Sequence, residues 1–433
     1  MATVLVYTSS AAGHLYPLMP GLTALRDRGH DVHVRTIEKH VQTVRDAGMS
    51  AEPTDPRIEA IEVTDFRAES GGERLRRGIV DMIKRGEVQG PDFDAAVAAV
   101  EPDVLLIDAI NYGAMVRAEA SGLPWALFMP SLLPLKGRGI PAYGTGMKPM
   151  AGPVGWLRDA IMWKVAERLY GKAMLPGLNG LRVKSGLRPL ASPFEMFEAA
   201  DRVLITSGEP LEYPRTDLPE KIDFVGPQLW DPPAEVPAWL DEPGDPWILV
   251  TCSTDYQGDE ELALTAAEAL KDEPYRVLIT TADAFGGVPP ESRGNVRFEA
   301  FVPHGPVLER AAGVICHGGM GIVQKALYES VPMLVVPFGR DQPEVARRVT
   351  EAGAGTSLPF KKLSAERVRD GLRRALAERA GTEAAAARFR EEAGTDRFVT
   401  SVEKLVPEAD GRELAATAVP ETGRRVLATV SGR

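Results

Sequence analysis

Residues Gly313–Ser330, GVICHGGMGIVQKALYES, decide how this chain folds. A short apolar run ends at Cys316, glycines follow at 318, 319 and 321, and a helix-length segment comes next. Glycine lets a backbone turn tightly and approach a ligand closely. A helix starting at such a turn presents unpaired N–H groups and a partial positive charge. Strand, glycine turn and helix in succession form the unit of a parallel sheet with helices on its faces. The plain alternative is a glycine-rich turn that binds nothing.

The same rhythm extends outward. Trp247–Thr251 (WILVT) reads as a strand, Glu261–Leu270 as a helix, Arg276–Thr281 and Val296–Pro303 as strands, Met333–Phe338 as a strand, and Pro343–Gly353 as a helix closing on glycine. Upstream, Val225–Pro246 is too dense in proline and acid for a central strand or a long helix, so it is a linker. Before it the alternation appears again: Thr3–Tyr7, a helix over Leu18–Gly29, Asp31–Arg35, Val104–Ile107, Trp125–Met129 and Ala200–Thr206. An irregular insert rich in Gly, Pro, Met and aromatics interrupts it between about Met129 and Leu187. The expected plan is therefore α/β: a first parallel-sheet domain over 1–224, the linker over 225–246, a second such domain over 247–385, and a helical segment over 386–433 that frays after about Asp410.

A net charge of −11 argues against nucleic acid, which demands a basic footprint. Two cysteines in 433 residues cannot staple the chain and fit a reducing compartment. No apolar run reaches the ~18 residues of a membrane span, and MATVLVYTSS lacks the basic start of a signal peptide. The expectation is a cytoplasmic protein, monomer or homodimer, without stable membrane insertion.

HGGMG, then VPFGRDQ (336–342) and ARRV through Val349, resembles the donor-binding signature of GT-B inverting glycosyltransferases, relatives of plant and microbial enzymes that glycosylate small molecules. SSAAGHLYPLMPGLTALRDRGHDV, VGPQLWDPP and PWILVTCST resemble other segments of that family, in order, over roughly residues 3–360. The resemblance implies two Rossmann-like domains facing each other across a cleft. It implies transfer of a sugar, glucose from UDP-glucose or a deoxysugar from dTDP, to a hydroxyl of an apolar natural product such as a macrolide, ansamycin or other polyketide. It also implies that no metal or other cofactor is needed.

By the same resemblance, His317, Gly318, Gly319, Met320 and Gly321 hold the diphosphate, helped by Ser253 and Thr254. Asp341 and Gln342 bind sugar hydroxyls; the plain alternative for them is a surface ion pair. Phe301 stacks on the nucleobase while the Val302 backbone reads its edge, unless Phe301 is an ordinary core aromatic. This sequence departs from the family at Lys325, where relatives commonly carry a carboxylate that bridges ribose hydroxyls, and at Ile322 and His304. Lysine only donates, pointing either to phosphate or to solvent. A deoxyribose donor has less need of that carboxylate.

His14 follows the first strand, and Asp108 closes VLLID at another strand's carboxyl end, where open parallel sheets bind ligands. Both match the family's catalytic pair. An alcohol needs a base to attack an anomeric carbon, imidazole titrates in the right range, and a carboxylate fixes its tautomer. A helix cap is the alternative for Asp108. Methionines and aromatics adapt to large apolar ligands, which makes Met129, Tyr143, Met147, Met162 and Trp163 candidate acceptor contacts, with Asn111 and Tyr112 beyond Asp108. Each is alternatively a core residue. A nicotinamide enzyme is set aside because SSAAGHLYP stands where GxGxxG is required. The remaining competitor is a non-catalytic helper of transferase fold that activates a partner enzyme. Such a protein is expected to have lost His14, Asp108 or the HGG turn.

Overall fold

The computed structural model describes residues 1–8 and 12–407. Among them the strands form two sheets whose pairings are all parallel. In the first, β1 (Thr3–Tyr7), β2 (Asp31–Thr36), β3 (Ser50–Pro53), β4 (Val104–Asp108), β5 (Trp125–Met129), β6 (Arg202–Ile205) and β7 (Ile222–Phe224) lie in the order β3-β2-β1-β4-β5-β6-β7. In the second, β8 (Trp247–Thr251), β9 (Arg276–Thr280), β10 (Val296–Glu299), β11 (Ala311–Cys316), β12 (Met333–Val335) and β13 (Gly355–Ser357) lie in the order β10-β9-β8-β11-β12-β13. Every residue of β4 and β8 is buried, as continuous apolar runs must be when helices cover both faces of a sheet. Separate apolar cores fill the two faces of each sheet.

Strand order reverses between β1 and β4, and again between β8 and β11. At such a switch point the loops leave in opposite directions and open a crevice beyond the strand ends. His14 follows β1 and Asp108 ends β4; Ser253 follows β8 and His317 follows β11. Each sheet therefore brings its candidate residues to one place.

The insert differs from its expected irregularity. After a loop it becomes a helix of 33 residues, Gly152–Lys184, packed on the 30-residue helix Gly71–Val100. Trp163, Ala166, Met174, Leu178 and Leu181 are buried at helical spacing, which outweighs the internal Pro176 and its neighbouring glycines. The last described segment then leaves the second sheet. Helix Asp396–Glu403 returns to the first domain, where Phe398, Val399 and Val402 share a core with Leu18, Met19 and Leu22. Gly21 admits this contact: a Cβ there would stand 2.4 Å from the Phe398 ring. The fraying expected after Asp410 lies outside the described residues. No helix among those described is long and apolar enough to cross a membrane.

Candidate active site

His14 Nδ1 lies 2.6 Å from Asp108 Oδ1. Asp108 is fully buried, and its second oxygen accepts from Asn111 Nδ2 at 3.0 Å and Thr8 Oγ1 at 3.3 Å. Asn111 is held in turn by Gln89 Nε2 at 2.9 Å, and Gln89 Oε1 accepts from the Gly113 amide. This relay exists because helices Gly71–Val100 and Tyr112–Ser121 nearly touch: a Cβ on Gly113 would stand 2.1 Å from the Gly86 carbonyl oxygen. Burial alone disfavours a charged His14, but Asp108, aided by Asp255 and Asp341, outweighs it and raises the imidazole above its ordinary 6.5. The carboxylate occupies Nδ1. Nε2 is left as the basic nitrogen, on a side chain 24% exposed at a cavity wall.

Across the cleft, helix Met320–Tyr328 begins without a side-chain cap, so its first N–H groups remain available to an anion. Gly318 turns the chain into it with φ +94°, and a Cβ there would meet Val335 Cγ1 at 2.8 Å. His317 is buried with Nδ1 unpartnered. Burial pushes its pKa down to about 4, which keeps the ring neutral near pH 7. Ser253 is buried with its amide on Asp259 Oδ2, and Thr254 is exposed.

The two halves meet over the site. Arg340 donates to both oxygens of Asp65, at 2.9 and 3.2 Å; Arg74 reaches the Phe338 carbonyl; Ser131 Oγ donates to Asp341 Oδ2 at 2.5 Å. Asp341 lies near enough to His14 and His317 to favour the charged form of each. Between the halves lies a cavity of about 1580 Å³. His14, Tyr112, Met129, Tyr143, Met162 and Asp341 line it, together with Asp65, Arg340, Asp255 and Tyr256, four residues to which the sequence analysis assigns no role. Ser253, Thr254 and the turn 317–321 lie outside that wall.

Residues 277–407 match the family described as Erythromycin biosynthesis protein CIII-like, C-terminal domain. The chain is 31% identical over 423 residues to 4'-demethylrebeccamycin synthase of Lentzea aerocolonigenes, covering 93% of this chain and 99% of that relative. The chain belongs to the natural-product glycosyltransferases. Solved structures agree with this on the fold. The glycosyltransferase of kitacinnamycin superposes with a TM-score of 0.72 at 21% identity, covering 94% of this chain and 99% of that one. The glycosyltransferase VinC, in complex with dTDP, superposes at 0.65 and 23% identity over 93% and 99%. The fold of this transferase is therefore GT-B.

Several expected site residues of the transferase have other partners. Asn111 is fully buried and orients Asp108; it does not face an acceptor. Trp163 turns into the core with Nε1 on the Ile140 carbonyl, and Met147 lies off the cavity wall. Gln342 spends its oxygen on the Phe338 and Gly339 amides and its nitrogen on Gln257, so it shapes the loop that presents Asp341. Phe301 is 53% exposed, which a core aromatic would not be, and Val302 is buried. Lys325 points neither to phosphate nor to solvent. It pairs with Asp231 of the linker, whose other oxygen accepts from the Gly305 amide. The linker and the turn at Gly305 are thereby tied together, a link invisible in sequence because 94 residues separate Lys325 from Asp231.

Proposed function

We propose that the transferase moves a sugar, with inversion and without a metal, from a nucleoside diphosphate to a hydroxyl of a large apolar natural product. The observation that carries this is the His14–Asp108 pair at the wall of the shared cavity. The acceptor oxygen attacks the anomeric carbon while His14 Nε2 takes its proton. The bond from that carbon to the diphosphate oxygen breaks in line, and the leaving charge falls on the helix start at Met320 and on His317. These donors supply the positive end that a metal supplies elsewhere, and Asp341 accepts from the sugar hydroxyls. Volume and lining favour a polycyclic or macrocyclic acceptor. The relative named for demethylrebeccamycin synthesis supports a role in antibiotic biosynthesis. Cys252 and Cys316 are buried free thiols, which fits a cytoplasmic enzyme.

This reading admits two donors. UDP-glucose is the first. A dTDP-deoxysugar is the second, and Lys325 favours it: the position relatives commonly give to a ribose carboxylate holds a cation already committed to Asp231. The dTDP in the VinC complex supports the same choice. Mass spectrometry of products from UDP- and dTDP-sugars, each with macrocyclic and phenolic acceptors, tests the proposal. Glycoside in the presence of a chelator is expected. Hydrolysis alone with every pair, or transfer that requires a divalent ion, refutes it.

A further inference from the structure

The outer face of helix Gly152–Lys184 has no protein covering it among the described residues. Val154, Leu157, Ile161, Val165 and Leu169 recur at intervals of three and four, so they form one stripe, and they are 42 to 73% exposed. The same face carries Lys164, Arg168 and Lys172, one turn apart, all exposed and in no ion pair among the described residues. Trp156 stands beside the stripe, 43% exposed, with the Arg138 guanidinium 4.7 Å above its ring. Residues 131–175 hold seven Lys and Arg against two acids in a chain of net charge −11, and one of those acids, Asp159, is buried against Arg158.

We infer that this face seats the enzyme on an anionic lipid surface. Two observations choose that occupant. The first is charge: cations interleaved with an exposed apolar row, on an otherwise acidic molecule, match a surface of anionic headgroups over hydrocarbon. The second is continuity: Val165 and Leu169 belong to the stripe and also line the acceptor cavity, next to Met162 and Tyr170 of the same helix. An apolar molecule dissolved in the bilayer meets an apolar path into the cavity and need not cross water. The attachment is peripheral, since the helix lies in the interface and does not span it.

The test is co-sedimentation of the full chain with phosphatidylcholine vesicles, with and without phosphatidylglycerol. Binding is expected with the anionic vesicles and is lost on adding salt. Leu157→Glu with Ile161→Glu, and separately Arg168→Glu with Lys172→Glu, should each weaken it by about tenfold or more. None of these four residues lines the cavity, and thermal melting checks that both variants fold. No binding by the parent chain overturns the inference, as does equal binding by parent and variants. A concentration-dependent dimer that the first variant disperses, with no vesicle binding, also overturns it and makes the stripe an interface between copies. Sugar transfer is not read in this assay, so its failure and the failure of the proposed reaction are separable.

Discussion

Replacing Asp108 by asparagine keeps the shape of the side chain but leaves it one accepting oxygen instead of two. Both oxygens are in use: Oδ1 faces His14 Nδ1 at 2.6 Å, and Oδ2 accepts from Asn111 Nδ2 at 3.0 Å. Asn111 cannot turn to suit the change, because its own oxygen is taken by Gln89. The new amide therefore sets its oxygen toward Asn111 and its NH2 toward the imidazole. Nδ1 must then accept, and the ring proton moves to Nε2, the nitrogen that should receive the acceptor's proton. With the base blocked and its imidazolium unsupported, Asp108→Asn should lower kcat by about 10³–10⁴-fold, or about 4–5.5 kcal/mol in the barrier. The pH profile should move as well. His14 works unprotonated, and its pKa is raised, so the activity of the parent enzyme should fall as pH drops through a midpoint above 6.5. Without the Asp108 charge, burial dominates and the midpoint should move below that value. Initial rates by liquid chromatography across the neutral range measure both effects, with UDP and dTDP affinity as the control for folding. A variant within tenfold of the parent, with an unmoved acid limb, would refute the assignment of His14 as base.

Asp65→Ala removes the partner of Arg340 and loosens the clamp over Asp341, so kcat/KM should drop by about tenfold or more while the melting temperature barely changes; steady-state kinetics with donor varied reads this. Gly318→Ala forces a Cβ against Val335 in a left-handed backbone, and should cost about 1–3 kcal/mol in urea unfolding along with most of the UDP and dTDP affinity. Met162→Trp narrows the cavity beside Tyr143, so KM for a macrocyclic acceptor should rise several-fold with nucleotide affinity unchanged; an unmoved KM would place the acceptor elsewhere.

The sheets were legible because parallel strands buried on both faces leave unbroken apolar runs such as VLLID and WILVT. Asp108 was legible because it ends such a run and His14 because it follows another, and in the structure they meet. The long helix Gly152–Lys184 was not. Its exposed apolar stripe adds to its buried one and blurs the helical period, and Pro176 reads as a breaker. Gln342 and Lys325 show a different limit. Their residue types announce hydrogen bonding, but the partner is set by loops far away in the chain: Gln257 for one, Asp231 for the other. Asp65 and Arg340 lie 275 residues apart and meet only when the halves come together, so no local pattern signals the pair.

The return of Phe398 to its slot at Gly21 has a mechanical consequence. The polypeptide passes between the lobes twice, once through Val225–Pro246 and once just before Asp396, and the second strap is anchored by an aromatic ring and by the Arg28 ion pairs to Asp396 and Glu403. The two crossings lie against each other, Gln228 Nε2 donating to the Gly394 carbonyl at 2.8 Å, so they act as one joint, and His14 and the Met320 helix start should move about it together each time the cleft opens to exchange nucleotide. Cutting the chain before Asp396 would undo that joint and also strip the first lobe of part of its own core.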